Sequence, residues 1–377
     1  MKTVYIDLFA GLLCFAACEG NNGINGNTDP ESNLSSFTSQ ADSSVTNATK
    51  STAIYTYTSL QTIGKIEKYD DELDSLLAVN AEIEILAEGF TWAEGPVWVE
   101  DGEYILFSDV PENRVYKWKE GEEVSVYLEP SGYSGEGYYS YEPGSNGLVI
   151  RDGKLVLCQH GDRRIAEMIN DLGDPSSEFI SVADNYEGKK FNSPNDLTVC
   201  NDGSIYFTDP PYGLPDKEND SSRELDYFGV FKVDPEGEVT LLTDELTRPN
   251  GIAFSPDYSI CYVNVSDNMN AVTMAYDINE NDGTFENGRI FFNATSLIPG
   301  RPGLPDGMKV HSDGYIFATG PGGVLILSPE GKHLGTINTT QATANCVFNS
   351  DYSYLYITAD YYLLRVKLGP KEIINCL

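Results

Sequence analysis

A short pattern recurs six times along the 377-residue chain: a hard-oxygen side chain, a small or polar residue, then an alternating apolar run. The copies begin at Glu94 (EGPVW), Asn146 (NGLVI), Asn195 (NDLTV), Asn250 (NGIAF), Asp306 (DGMKV) and Asn345 (NCVF), separated by 52, 49, 55, 56 and 39 positions. Each copy is followed by a second β-like run (GEYILFSD, GKLVLCQH, GSIYFTDP, YSICYVNV, GYIFATGP, YSYLYITA), and most by a third, such as RVYKWK or GVLILS. Asp-Gly pairs at 101–102, 152–153, 202–203 and 313–314 separate first and second runs, as tight hairpins require. Repeated small antiparallel sheets of this length specify an all-β, six-bladed β-propeller. Glu82 to Leu86 alternates as a strand should, and pairing it into the last blade closes the ring. Helical periodicity is nearly absent; Asp70 to Val79 reads as one short helix.

The ends read differently. Residues 1–18 have a basic Lys2, a mostly apolar stretch, and Phe15-Ala16-Ala17-Cys18, which reads as a lipoprotein-like signal peptide with Cys18 as the acylated residue. Asp7 and Phe15 depart from that pattern, and a plain secretory signal is the alternative. Residues 19–53 are poor in large apolar side chains and make a flexible linker. Residues 54–377 then form one propeller domain, exported to the periplasm or cell envelope, with the membrane reached only through a lipid anchor. Cys158, Cys200, Cys261 and Cys346 sit inside apolar runs with no C-x-x-C pair, and read as small buried hydrophobes.

With 58 acidic against 24 basic residues the net charge is −34, which excludes binding to a phosphate backbone. Three histidines are too few for a nitrogen-based metal cage. In a propeller the innermost strands line the axis, so the six leading residues converge. One Asn-Gly pair is ordinarily a turn. Six aligned copies, all oxygen-bearing and two of them carboxylates, instead describe a site for a hard divalent cation such as Ca²⁺.

Together EGPVW, SPNDL with FTDPPYGL, RPNGIAFSPD, LPDGMKV and GPGGVLILSPEGKHLGTI, in that order between residues 86 and 368, resemble the gluconolactonase and senescence-marker-protein-30 family. The resemblance implies a six-bladed propeller with one divalent metal on the axis, and hydrolysis of sugar lactones. It implies Glu94, Asn250 and Asp306 as metal ligands, Asn195 as a contact of metal, substrate or both, and Asp306 as general base. Ca²⁺ is the expected ion, with Mg²⁺, Mn²⁺ and Zn²⁺ open. Asn146, His160 and Tyr212 are further substrate-binding candidates, His160 equally placed to bond a loop carbonyl; Asp209 either shapes the pocket mouth or serves a turn. Ser193 stands where animal members carry arginine, and the Gly/Tyr-rich stretch 131–141 is an insert that would cover the pocket. Neither G-x-S-x-G nor H-E-x-x-H occurs. Two alternatives stay open: another metal-dependent esterase or organophosphate hydrolase, and a non-catalytic propeller with a structural cation.

Overall fold

The computed structural model describes residues 54–57 and 61–369, so the signal, Cys18, the linker and the last eight residues lie outside the described residues. Six antiparallel sheets of four or five strands make up the propeller among the described residues, with a separate two-stranded ribbon of Asn185–Tyr186 and Lys189–Lys190. The innermost strands of the six sheets are Ala93–Val99, Ser145–Arg151, Leu197–Val199, Pro249–Phe254, Met308–Val310 and Thr343–Phe348, and we number the blades 1 to 6 in that order. Each inner strand packs against the next, and the last packs against the first, which closes a ring around the axis.

Period-2 alternation builds this ring. In blade 3, Phe207 faces blade 2 and packs with Val156, Cys158 and Ile165. Its neighbour Tyr206 faces the other way and packs with Ile252, Val263 and Tyr276 of blade 4. Ile105 and Phe107 of blade 1 likewise face blade 6, while Tyr104 and Leu106 face blade 2. Each of the six interblade seams thus has its own apolar cluster, because successive strand residues point to opposite faces of a sheet. Within blade 2, Asp152 (φ 51°) and Gly153 (φ 77°) both take the left-handed conformation that a two-residue hairpin turn demands.

Ile83–Glu88 lies antiparallel to Tyr362–Lys367 and is the fourth strand of blade 6. Unforeseen from sequence, Lys65–Lys68 adds a fifth strand to blade 5 by pairing with His333–Asn338. The expected helix over 70–79 is shorter and tighter: a single 3₁₀ segment, Asp71–Ser75, capped by Asp70, whose carboxylate accepts from the Glu72 amide at 3.1 Å. Three acidic residues in so short a turn, with Leu73 the buried member, leave little apolar face to extend it. Cys158, Cys261 and Cys346 are buried free thiols, and Cys200 is half-buried.

Candidate metal and substrate site

The glycine that follows four of the six leading residues is not a turn glycine. Gly147 donates its N–H to the Asn195 carbonyl at 2.7 Å, Gly251 to the Asp306 carbonyl at 3.1 Å and Gly307 to the Ala344 carbonyl at 2.7 Å. A methyl group on Gly251 would lie 2.1 Å from the Asp306 carbonyl oxygen. Neighbouring inner strands come too close at the axis for a side chain there, so the repeat needs glycine for approach rather than for a turn.

Second strands hold the first in register. Ser108 Oγ donates to the Asn146 carbonyl at 2.9 Å, Thr208 Oγ1 to the Asn250 carbonyl at 2.8 Å, and Asn264 Nδ2 to the Asp306 carbonyl at 2.7 Å. Thr319 Oγ1 reaches the Ala344 carbonyl at 3.0 Å. Four blades therefore use a polar residue near the end of the second run to clasp the next blade's inner strand. The signal is visible as the S, T, N and T of FSD, FTD, VNV and ATG, and was not interpreted from sequence.

Glu94, Asn146, Asn195 and Asn250 are buried and Asp306 half-buried at the top of these strands. The Glu94 carboxylate accepts from the Gly95 N–H at 2.9 Å and from Trp92. Burial pushes the Glu94 and Asp306 carboxyls upward, and the negative charges of Asp196 and Glu142 add to the effect at both, with that of Glu94 adding at Asp306. Among the described residues, neither Glu94 nor Asp306 has a Lys or Arg ion-pair partner. Asn195 Oδ1 is buried with no hydrogen-bond partner. Three His, Cys, Asp or Glu side chains close enough to hold an ion by themselves are absent among the described residues, so any cation site here needs the amides as well. Two carboxylates with no cationic partner, one buried and one half-buried, beside an orphaned amide oxygen fit a hard divalent cation, which would supply both the missing charge and the missing partner.

Not every candidate enters this set. Asn345 gives its Oδ1 to its own chain, accepting from the Cys346 N–H at 2.9 Å, and its Nδ2 lies 3.4 Å from Asp196 Oδ2. His160 is completely buried rather than at the mouth. Its Nδ1 lies 3.3 Å from the Glu142 carbonyl oxygen and its Nε2 lies 3.4 Å from Asn195 Nδ2, so both ring nitrogens are taken up by protein contacts. Burial lowers its pKa to about 4, which keeps the ring neutral. Asp209 is also buried, accepting from the Asn192 N–H at 2.7 Å and Nδ2 at 2.9 Å. Asp109 does the same work in blade 1 for Thr91 and Trp92, so this position in the second run anchors the segment entering the inner strand.

Tyr212 is half-buried beside the site. Its phenol hydrogen-bonds Ser266, and burial together with the Asp306 carboxylate raises its pKa. Ser266 also accepts from Asn250 Nδ2 at 3.0 Å. Ser193 Oγ donates to the Pro210 carbonyl at 2.6 Å and accepts from the Gly213 N–H at 3.0 Å, so it fixes the PPYG loop that presents Tyr212. Arg163 donates to backbone carbonyls of Phe191 and Ser222 at 2.7 and 3.0 Å, away from the axis.

Sequence reasoning missed Glu142 and Asp196. The 131–141 insert is pinned by Asn113, whose Oδ1 accepts the N–H groups of Ser131, Gly132 and Tyr133 at 3.1, 2.7 and 3.1 Å. It delivers Glu142 to the site, where burial raises the carboxyl to about 7 against the opposing pull of Lys217. Asp196 is buried where most copies carry glycine, a departure that the aligned repeat displays.

Comparison with known proteins places these observations. A family model described as the SMP-30/gluconolactonase/LRE-like region matches residues 92–360. A gluconolactonase of Zymomonas mobilis is 41% identical over 314 residues, covering 81% of this chain and 86% of that protein. Regucalcin of Bos taurus is 25% identical, covering 73% of this chain and 85% of that protein. The solved structure of a gluconolactonase from Xanthomonas campestris superposes with a TM-score of 0.71 at 30% identity, covering 82% of this chain and 98% of that one.

Proposed function

The chain belongs to the SMP-30/gluconolactonase/LRE-like family, and from that premise we propose that it hydrolyses lactones, sugar lactones such as glucono-1,5-lactone first among them. The observation that carries the reading is the carboxylate pair of buried Glu94 and half-buried Asp306, without a Lys or Arg partner, beside the orphaned Asn195 oxygen. Glu94, Asn195, Asn250 and Asp306 would hold one divalent cation, Ca²⁺ best matching four oxygen donors with two negative charges. Such an ion supplies charge stabilisation for the lactone carbonyl oxygen as it becomes an oxyanion.

The chain's own groups account for the rest. Asp306 is the less buried of the two carboxylates, so it is the one assigned to take a proton from the attacking water. Water oxygen bonds to the carbonyl carbon, the ring C–O bond breaks, and the proton passes to the ring oxygen, which leaves as a hydroxyl. The product is a hydroxy acid. Tyr212, held by Ser266, and Asn146 would bind the sugar hydroxyls. Glu142, whose charge acts on Glu94 and Asp306, would accept from a substrate hydroxyl.

A lactone-opening assay that follows acid release tests the reading. Turnover above the spontaneous rate is expected from purified protein, lost on exhaustive chelation, restored by Ca²⁺, and reduced about 100-fold or more by Asp306→Asn. Undiminished turnover after both treatments would falsify the metal-assisted route.

A further inference from the structure

An amide side chain can serve a cation only with its oxygen, so something must decide which edge of Asn195 faces the ion. In a site with two carboxylates and no cation, electrostatics alone favours the wrong edge: the NH₂ group would turn toward the negative charges. The contacts around Asn195 oppose that. The backbone carbonyl of Glu142 can only accept, so His160 Nδ1, 3.3 Å away, carries the ring proton. His160 Nε2 then presents a lone pair, and the Asn195 atom 3.4 Å from it is the NH₂ nitrogen. The amide is planar, so Oδ1 occupies the opposite edge, where it is buried without a hydrogen-bond partner.

The imidazole is clamped in place. His160 donates its backbone N–H to the Gly144 carbonyl at 3.1 Å, and Gly161 donates to the Pro143 carbonyl at 3.1 Å, which fixes the ring to the segment carrying Glu142. From the other side, a methyl group on Gly213 would lie 2.5 Å from His160 Cβ and 2.9 Å from Ser193 Cβ, so the PPYG loop packs directly on the histidine. His160 has no exposed surface and Asn195 almost none.

We propose that His160 is a positioning residue: by accepting from Asn195 Nδ2 it locks the amide with Oδ1 turned outward as a cation donor. The inference rests on the cation site described under Proposed function. Histidine suits the task because one ring nitrogen can be tied to a carbonyl while the other is left purely as an acceptor, which holds the amide the required way round.

Calorimetric titration of the chelator-stripped full chain with CaCl₂ tests this, alongside urea unfolding to confirm that each variant is folded. His160→Leu is expected to bind Ca²⁺ about 10–100-fold more weakly, the usual cost of losing a partner that orients a ligand. His160→Gln, which keeps a side-chain acceptor, is expected to stay within about threefold of wild type, since the hydrogen bond that orients the ligand is retained. The decisive comparison is in the Asn195→Asp background, where both edges of the side chain are oxygens and orientation no longer matters. There His160→Leu should change affinity by less than about twofold, because additive costs vanish once the shared contact is removed. An equal loss in both backgrounds, or wild-type affinity in His160→Leu, overturns the positioning role. Absence of any Ca²⁺ binding by wild-type protein overturns the cation site itself, and is a distinct result.

Discussion

Asn345 turns its amide toward Asp196, with Nδ2 3.4 Å from Asp196 Oδ2, rather than toward the buried pair Glu94 and Asp306. A position that looks equivalent to Asn195 and Asn250 in the repeat thus spends both ends of its amide on protein partners, Asp196 and the Cys346 N–H. Asp196 is the charged one of the two, and its negative charge raises the carboxyls of both Glu94 and Asp306.

Removing that charge should therefore weaken the cation site without touching a ligand. Asp196→Asn is expected to lower Ca²⁺ affinity by about tenfold, the size of a roughly 1–2 kcal/mol charge interaction across protein. Calorimetric titration against wild type measures it; unchanged affinity would show that Asp196 does not act on the ion.

Glu94→Gln keeps the shape of the side chain and removes one of two ligand charges. Ca²⁺ binding is expected to fall at least about 100-fold while the fold is retained, because the propeller core lies in the interblade seams rather than at the axis. Wild-type protein should melt at a higher temperature with Ca²⁺ than with chelator, by mass action on the folded state, and Glu94→Gln should show no such difference.

Close approach at the axis predicts a steric cost. A methyl group on Gly307 would lie 2.0 Å from the Asn345 side-chain carbon. Gly307→Ala is expected to destabilise by about 2–3 kcal/mol in urea unfolding, as overpacking of a rigid site does. Gly173→Ala is the control, since an added methyl there meets nothing within 4 Å.

Asp109 gives the chain a pH dependence of its own. Burial raises its carboxyl from 3.8 to about 6, despite N–H groups of Thr91 and Trp92 that favour the charged form. A group with a raised folded pKa holds its proton more tightly when folded, so the stability it adds is full below about pH 4 and is lost as pH rises through about 6. Asp109→Asn, which keeps an acceptor, should flatten the urea-unfolding stability between pH 4.5 and 7, by at most about 3 kcal/mol.

Much of the molecule was legible because its two main signals are local. Alternation at period 2 shows which faces of the strands are apolar, and six recurrences of one strand pattern leave few architectures able to bury them. The candidate ligands followed from the same repeat, since equivalent positions in a closed ring must converge. What the repeat could not show was which copies had changed employment. Asn345 and Asn195 look alike in sequence; they differ because Asn345 meets Asp196 while Asn195 meets His160. His160 looked like a mouth residue because it ends a second run, but the PPYG loop and the segment before Ser145 cover it.

Pattern alone therefore determined the six blades, the oxygen-rich axis and the pairing of Glu94 with Asp306 as its two acids, since all three depend on periodicity and residue type. Tertiary structure decided the rest: that the charge of Glu142, next to the 131–141 insert, acts on Glu94 and Asp306, that Asp196 adds its own, and that one edge of Asn195 is held by a buried imidazole. Those are contacts between segments that no periodicity brings together, fixed by how closely neighbouring strands and loops can approach.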